Sequence, residues 1–296
     1  MARLISLVED ASPLLREASA LLAPFTGSAH IVGITGSPGV GKSTTTSALV
    51  TTFRARGQRV GVLAVDPSSP FSGGALLGDR IRMQEHATDP DVFIRSMASR
   101  GHLGGLAWAT PQALRVLDAA GCDVVLVETV GVGQSEIEVA AMADTTLVLL
   151  APGMGDGIQA AKAGILEVGD IFVVNKADRD GAPQTRREMR SMISHSLRTA
   201  DAWTPTVEMT VASKGEGIAD LAERIAEHHA YLAASGVLER RRRNRARGEI
   251  EAIALTEVRQ KFGDISRHGT LDELSTAVAS GTIDPYAAAD QLLKAL

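Results

Sequence analysis

The chain has 296 residues, 45% of them hydrophobic but only 3% aromatic, which suits a core of Val, Ile, Leu and Ala such as a helix-covered parallel sheet. A single cysteine, Cys122, excludes a disulfide framework or a cysteine metal cage within one chain. A net charge of −5 gives no general attraction to nucleic acid, and no apolar run approaches the ~18 residues that span a bilayer. Glu9 and Asp10 interrupt any leader-like core, so the expected setting is cytoplasmic.

Residues 3–24 place Leu7, Leu14, Leu15, Leu21 and Leu22 on one helical face and stop at Pro24, which predicts an amino-terminal helix. From residue 31 short apolar runs alternate with helical stretches. Strands are predicted at 31–35, 59–65, 92–95, 123–127, 145–150, 171–174 and 206–210, and helices at 42–56, 103–119, 157–168, 184–199 and 217–233. This alternation implies right-handed crossovers and an α/β fold with a mostly parallel sheet. Ligands of such sheets sit at the strands' carboxyl ends.

After residue 236 only helical patterns remain. Ile250, Ile253, Val258 and Phe262 form one stripe ended by Gly263, and Leu271, Leu274 and Val278 form a second. Asp284 followed by Pro285 reads as the cap and first residue of a third helix. The expected organisation is a helical extension at 1–28, an α/β domain at 29–235 and a helical appendage at 236–296. The run Arg240–Arg243, with Arg245 and Arg247, has no aromatic neighbours of a nucleic-acid patch and is expected to be a solvated helix start. His102, His195, His228 and His229 lack a zinc-ligand spacing.

Two motifs carry the chemistry. Gly36-Ser37-Pro38-Gly39-Val40-Gly41-Lys42-Ser43, followed by Thr44, matches the phosphate-binding P-loop in full, after an apolar strand and before a helix. Its glycines let backbone N–H groups face a phosphate. Lys42 would reach the β- and γ-phosphates and Ser43 a magnesium ion, and the helix adds its positive end. The fold implied is that of a P-loop NTPase.

Asn175-Lys176-Ala177-Asp178 follows the strand at 171–174. Asp178 can accept two hydrogen bonds from guanine N1–H and the 2-amino group, donors that adenine does not present, which points to GTP and GDP. Val211-Ala212-Ser213, after the next strand, would offer backbone donors beside the guanine oxygen.

Glu128-Thr129-Val130-Gly131 ends the strand at 123–127, where a magnesium-linked acid and a γ-phosphate-sensing glycine belong. Glu128 could reach the ion itself or one of its waters. The position of a water-orienting glutamine is taken by Val132, with Gln134 two residues on, so slow intrinsic hydrolysis is expected unless a partner or Gln134 supplies the group. Asp66 and Asp79 could meet magnesium opposite Ser43; the other reading makes Asp66 a turn cap and Asp79 a helix start.

Several longer strings resemble the MeaB/ArgK family of GTPases. They are Glu128 through Glu136, Val65 through Gly74, Arg95 through Gly105, and Pro152-Gly153-Met154-Gly155-Asp156 with Gln159 and Lys162. The resemblance covers most of residues 30–220. It implies a GTPase chaperone that protects an adenosylcobalamin-dependent methylmalonyl-CoA mutase and gates its cofactor loading. It also implies a homodimer held partly by carboxy-terminal helices. Magnesium roles carry over to Ser43, Asp66, Asp79 and Glu128, and catalytic roles to Lys42, Asp79, Glu128 and Lys162, the last in a partner-responsive loop. The ArgK name adds an alternative, a kinase acting on a periplasmic amino-acid-binding protein, which would need the ATP preference that Asp178 argues against. A metallochaperone would need histidine-rich or Cys-x-x-Cys segments, and the chain has none.

Overall fold

The computed structural model describes residues 1–10, 12–67, 83–99, 109–129, 135–153, 165–195, 202–262 and 269–295. The chain divides into two compact units, Met1–Arg243 and Asn244–Leu296.

The first unit is built on one sheet of strands β1 (His30–Gly36), β2 (Val60–Pro67), β3 (Val92–Ser99), β4 (Val124–Thr129), β5 (Thr145–Leu150), β6 (Ile171–Asn175) and β7 (Thr206–Thr210). Their order is β3-β2-β4-β1-β5-β6-β7, and every pairing is parallel. Such strands need crossovers, which the chain supplies as helices. Helices α1 (Ala2–Glu9) and α2 (Leu15–Leu22) precede β1, while α3 (Lys42–Ala55), α4 (Ala109–Ala119), α5 (Ser135–Met142), α6 (Ile165–Val168) and α7 (Ala182–His195) lie between strands and α8 (Ile218–Ala234) follows β7.

Alternate residues of a strand face opposite helix layers. Val32 and Ile34 meet Leu49 and Phe53 of α3 and Leu221 and Ile225 of α8. Ile31 turns to the other face with Leu114, Leu117 and Val139. Every residue of β1, β4, β5 and β6 is buried, which is why these strands read as unbroken apolar runs. Helix α5, absent from the expected elements, packs so closely that a Cβ at Gly33 would lie 2.5 Å from Val139 Cγ1.

The expected single amino-terminal helix is two, because Pro13 lies inside the stretch and cannot continue a helix. The buried anchors are accordingly Ile5 and Val8, whereas Leu14 and Leu21 are 58% and 68% exposed. The predicted helices at 103–119 and 157–168 fall partly outside the described residues, and α4 and α6 are their described ends.

The arginine run is also corrected. It opens α9 (Val237–Phe262), and two of its members dock on buried carboxylates instead of facing water. Arg241 grips Asp170 with two bonds of 2.9 and 2.8 Å, and Arg242 donates to Asp144 Oδ2 at 2.8 Å, to Ala29 O at 2.8 Å and to Gly27 O. Asp144 and Asp170 immediately precede β5 and β6, and each also accepts a backbone N–H from a neighbouring strand, Ile31 and Thr146 respectively. Fork-shaped guanidinium groups satisfy the remaining oxygens.

A polar chain runs inward from that contact. His228 Nε2 lies 3.4 Å from Asp170 Oδ1, and Thr145 Oγ1 bridges His228 Nδ1 and His30 Nε2 at 2.8 Å each. The His229 ring stacks on His30, centroids 4.0 Å apart. Burial, with His229, His228 and Arg242 nearby against the opposing pull of Asp144, pushes the His30 pKa down to about 3. Asp170 is held down at about 2: burial opposes its charge, but bonds from His228 and Arg241 outweigh it.

In the second unit α10 (Gly269–Ala279) and α11 (Pro285–Ala295) close on Leu274, Ala288 and Leu292. Asp284 Oδ1 caps α11 by accepting the N–H groups of Tyr286 and Ala287 at 2.9 and 3.1 Å. The Ile250 stripe remains on the surface: Ile250, Ile253, Leu255 and Val258 are between 42% and 68% exposed. No described helix is long and apolar enough to cross a membrane.

Candidate nucleotide-binding site

Parallel strands bring their carboxyl ends to one edge, and the sequence motifs lie there at the ends of β4, β1, β6 and β7. β1 ends at Gly36 and α3 begins at Lys42, so Ser37 to Gly41 form the connecting loop. Two of its glycines are obligatory. Gly36 has φ 140° and a Cβ there would lie 2.4 Å from Leu149 O; Gly41 has φ 97° and a Cβ would lie 2.3 Å from Asn175 Nδ2. Val40 is fully buried and pins the loop to the core, while Pro38, Gly39 and Thr44 are exposed. Lys42 is 8% exposed, and its ammonium donates to Gly36 O at 2.7 Å and Ser37 O at 3.2 Å. The cation is thereby folded back over the loop at the amino end of α3, an arrangement suited to a polyphosphate.

Asn175 is a strut between the two motifs. Its Nδ2 donates to Val40 O at 2.8 Å, and its Oδ1 accepts from Thr210 Oγ1 at 3.2 Å and Ala212 N at 3.1 Å. Lys176, at φ 56°, reaches across to Gly39 O at 2.5 Å. Asp178 stands at the rim, 42% exposed, with Lys214 Nζ 3.4 Å from its Oδ2. Val211 and Ala212 are buried beside it and Ser213 is exposed. Lys214 did not figure in the sequence reading; its signal is a cation directly after Ser213.

Glu128, on β4, is 1% exposed and lies against the first turns of α3. Ser43 Oγ donates to its Oε1 at 2.6 Å and Thr46 Oγ1 to its Oε2 at 2.9 Å. A hydroxyl and a carboxylate beside a phosphate loop are hard oxygen donors of the kind magnesium takes, so these residues fit that ion. Asp66 lies in the last part of β2, opposite Ala98 of β3. Asp79, Lys162, Gly131, Val132 and Gln134 lie outside the described residues.

A seven-stranded parallel sheet with a glycine loop and lysine between its central strand and the next helix is the architecture of the P-loop nucleoside triphosphatases. Within that class the chain belongs to the MeaB family: the profile described as methylmalonyl Co-A mutase-associated GTPase MeaB matches residues 1–266. A Pyrococcus abyssi protein that carries a GTPase name is 50% identical over 296 residues, 99% of this chain and 91% of that one. The mouse mitochondrial methylmalonic aciduria type A homolog is 38% identical over 89% of this chain and 65% of its own length. A crystal structure of an LAO/AO transport system kinase superposes with a TM-score of 0.75 at 30% identity, covering 99% of this chain and 91% of that one. The chain is thus a member of a family of GTPases.

Proposed function

We propose that this chain is a magnesium-dependent GTPase that chaperones an adenosylcobalamin-dependent methylmalonyl-CoA mutase, protecting it and gating its cofactor loading. The observation that carries the guanine half is the loop joined by Asn175: the same side chain bonds Val40 of the phosphate loop and Ala212 beside Asp178. It sets a base-recognising carboxylate at a fixed place relative to the phosphates. In this reading Gly36–Thr44 cradle the phosphates, Lys42 neutralises the β and γ oxygens, and Ser43, Asp66, Asp79 and Glu128 hold magnesium. Asn175, Lys176, Asp178 and the Val211–Ser213 backbone receive guanine. Bound there, magnesium would offset charge developing on the transferring phosphoryl group.

The mutase half rests on the family description and on the mouse relative. The exposed apolar stripe of α9 supports a homodimer built on residues 236–296. The isolated protein should turn over slowly, since Val132 stands where a water-orienting glutamine often does, and the mutase should accelerate it. Supplying one missing transition-state group is typically worth ~10³ in rate. Lys162 is the proposed relay of the partner's presence. Gel filtration with a methylmalonyl-CoA mutase, with and without a non-hydrolysable GTP analogue, together with turnover rates, tests this. No co-elution and no acceleration in either nucleotide state would sink the mutase assignment.

A second reading has one specific observation behind it, the kinase name that the similar protein of known crystal structure carries. It separates from the first by nucleotide choice. The parent protein should prefer GTP and GDP over ATP and ADP, and Asp178→Asn should remove most of that preference. The Asp178–Lys214 pair is half-exposed and of little energetic value, so the carboxylate can turn to guanine. Losing its charge-assisted bonds costs on the order of 2–4 kcal/mol. Equal ATP and GTP affinity of the parent by calorimetry would favour the kinase and end the guanine assignment.

A further inference from the structure

Thr46 lies outside the phosphate-loop motif, yet it is fully buried and its hydroxyl meets the buried acid of β4. Ser43 and Thr46 are three residues apart, so they share one face of α3. From that face Ser43 donates to Glu128 Oε1 and Thr46 to Glu128 Oε2, and one helix holds both oxygens of the carboxylate. We propose that Thr46 is a positioning residue for magnesium: it tethers Glu128 so that a glutamate, longer than the aspartate common at this place, presents one fixed carboxylate geometry to the metal site. The proposal rests on the magnesium-dependent GTPase reading.

Hydrogen-bond accounting favours a tether over simple packing. The Thr46 hydroxyl has one proton and two acceptors in reach, Lys42 O at 3.0 Å and Glu128 Oε2 at 2.9 Å. Lys42 O already closes the helical turn, and the ionised carboxylate is the stronger acceptor. Thr46 could satisfy itself without Glu128, as Thr45 does on Gly41 O and Thr51 on Ser47 O in the same helix. A glutamate has one more rotatable bond than an aspartate, so pinning its second oxygen removes freedom that would otherwise blur the site. Groups that orient metal-associated residues in this way typically contribute 10–100-fold to metal affinity.

The test uses the full-length protein loaded with fluorescent GDP, with release followed over a range of free magnesium concentrations. Thr46→Val keeps the shape and removes the donor; Thr46→Ser keeps the donor. Thr46→Val should raise the magnesium concentration for half-maximal retention by roughly tenfold, and Thr46→Ser should stay near the parent. In a Glu128→Gln background Thr46→Val should add little, because the tethered group is already altered. Parental magnesium dependence in Thr46→Val, an equal shift in Thr46→Ser, or the same added shift in the Glu128→Gln background would each overturn the tether. Should Thr46→Val not fold, a Thr46→Ser protein with a shifted magnesium midpoint overturns it and one with the parental midpoint, against a shifted Thr46→Ala, supports it. Release from the parent that ignores magnesium would instead remove the reading beneath the proposal.

Discussion

Replacing Lys42 by alanine is expected to abolish measurable GTP hydrolysis and to weaken GTP binding more than GDP binding. The ammonium is nearly buried and held by two loop carbonyls, Gly36 O and Ser37 O, at the amino end of α3. A cation already desolvated and aimed needs little reorganisation when charge develops on the phosphoryl oxygens. Losing one preorganised stabiliser of that kind costs ~10²–10³ in rate, and this one carries a full charge. The fold should survive, because the alanine leaves two carbonyls at a loop whose tip, Pro38 and Gly39, is open to water. Single-turnover hydrolysis and calorimetry with both nucleotides check the result. Equal loss of GDP and GTP affinity would mean that Lys42 maintains the loop's shape and does not act on the γ-phosphate. An unchanged rate would place the chemistry elsewhere.

Much of the fold was legible because its strands are buried on both faces and therefore read as apolar runs. β5 and β7 have the predicted limits, and the carboxyl ends of β1, β4 and β6 extend one or two residues further, into the motifs themselves. β3 runs four residues past its predicted end, because as an edge strand half-covered by water it mixes Arg95 and Ser96 into the pattern. The phosphate loop and the Asn175 loop were legible for a different reason: their spacing is local. What stayed hidden depends on long separations. Nothing near Arg242 marks Asp144, 98 residues away, as its partner. Asp144 and Asp170 look like ordinary loop acids until the sheet places them under the strand ends. Thr46 is one of several consecutive hydroxyl residues, and only the helix phase selects it, with Ser43, to meet Glu128. Asp79 and Lys162 lie outside the described residues, so their roles rest on the sequence pattern and the resemblance.

The same buried chain of polar groups makes acid the condition to which this protein should be most sensitive. His30 is 7% exposed, and its Nε2 is bonded to Thr145 within a buried polar chain. His30 Nε2–H donates to Thr145, the Thr145 hydroxyl donates to His228 Nδ1, and His228 Nε2–H faces Asp170; this assignment follows from the bonding pattern. Burial penalises a proton on His30 most, and its charge would also sit beside His229, His228 and Arg242 with Asp144 too little to offset these, which is why its pKa falls from 6.5 to about 3. The sign follows from linkage. Above pH 6.5 neither state binds the proton, and below it the unfolded chain does while the folded one does not. Stability is therefore complete above the ordinary histidine value and lost as pH falls, by about 1.4 kcal/mol per unit, or about 3 kcal/mol by pH 4.5. Asp170 adds a separate loss only below the ordinary carboxylate value, as pH approaches about 2. Unfolding by urea at several pH values should show the parent weakening from pH 6.5 downward. His30→Gln keeps a donor near Thr145 and removes the titrating ring, so its stability should fall less steeply with acid. Some slope should remain, because burial lowers the His229 pKa as well. A parent whose stability is flat between pH 7 and 5, or a His30→Gln protein with the parental slope, would show that His30 does not hold its proton off in the folded state.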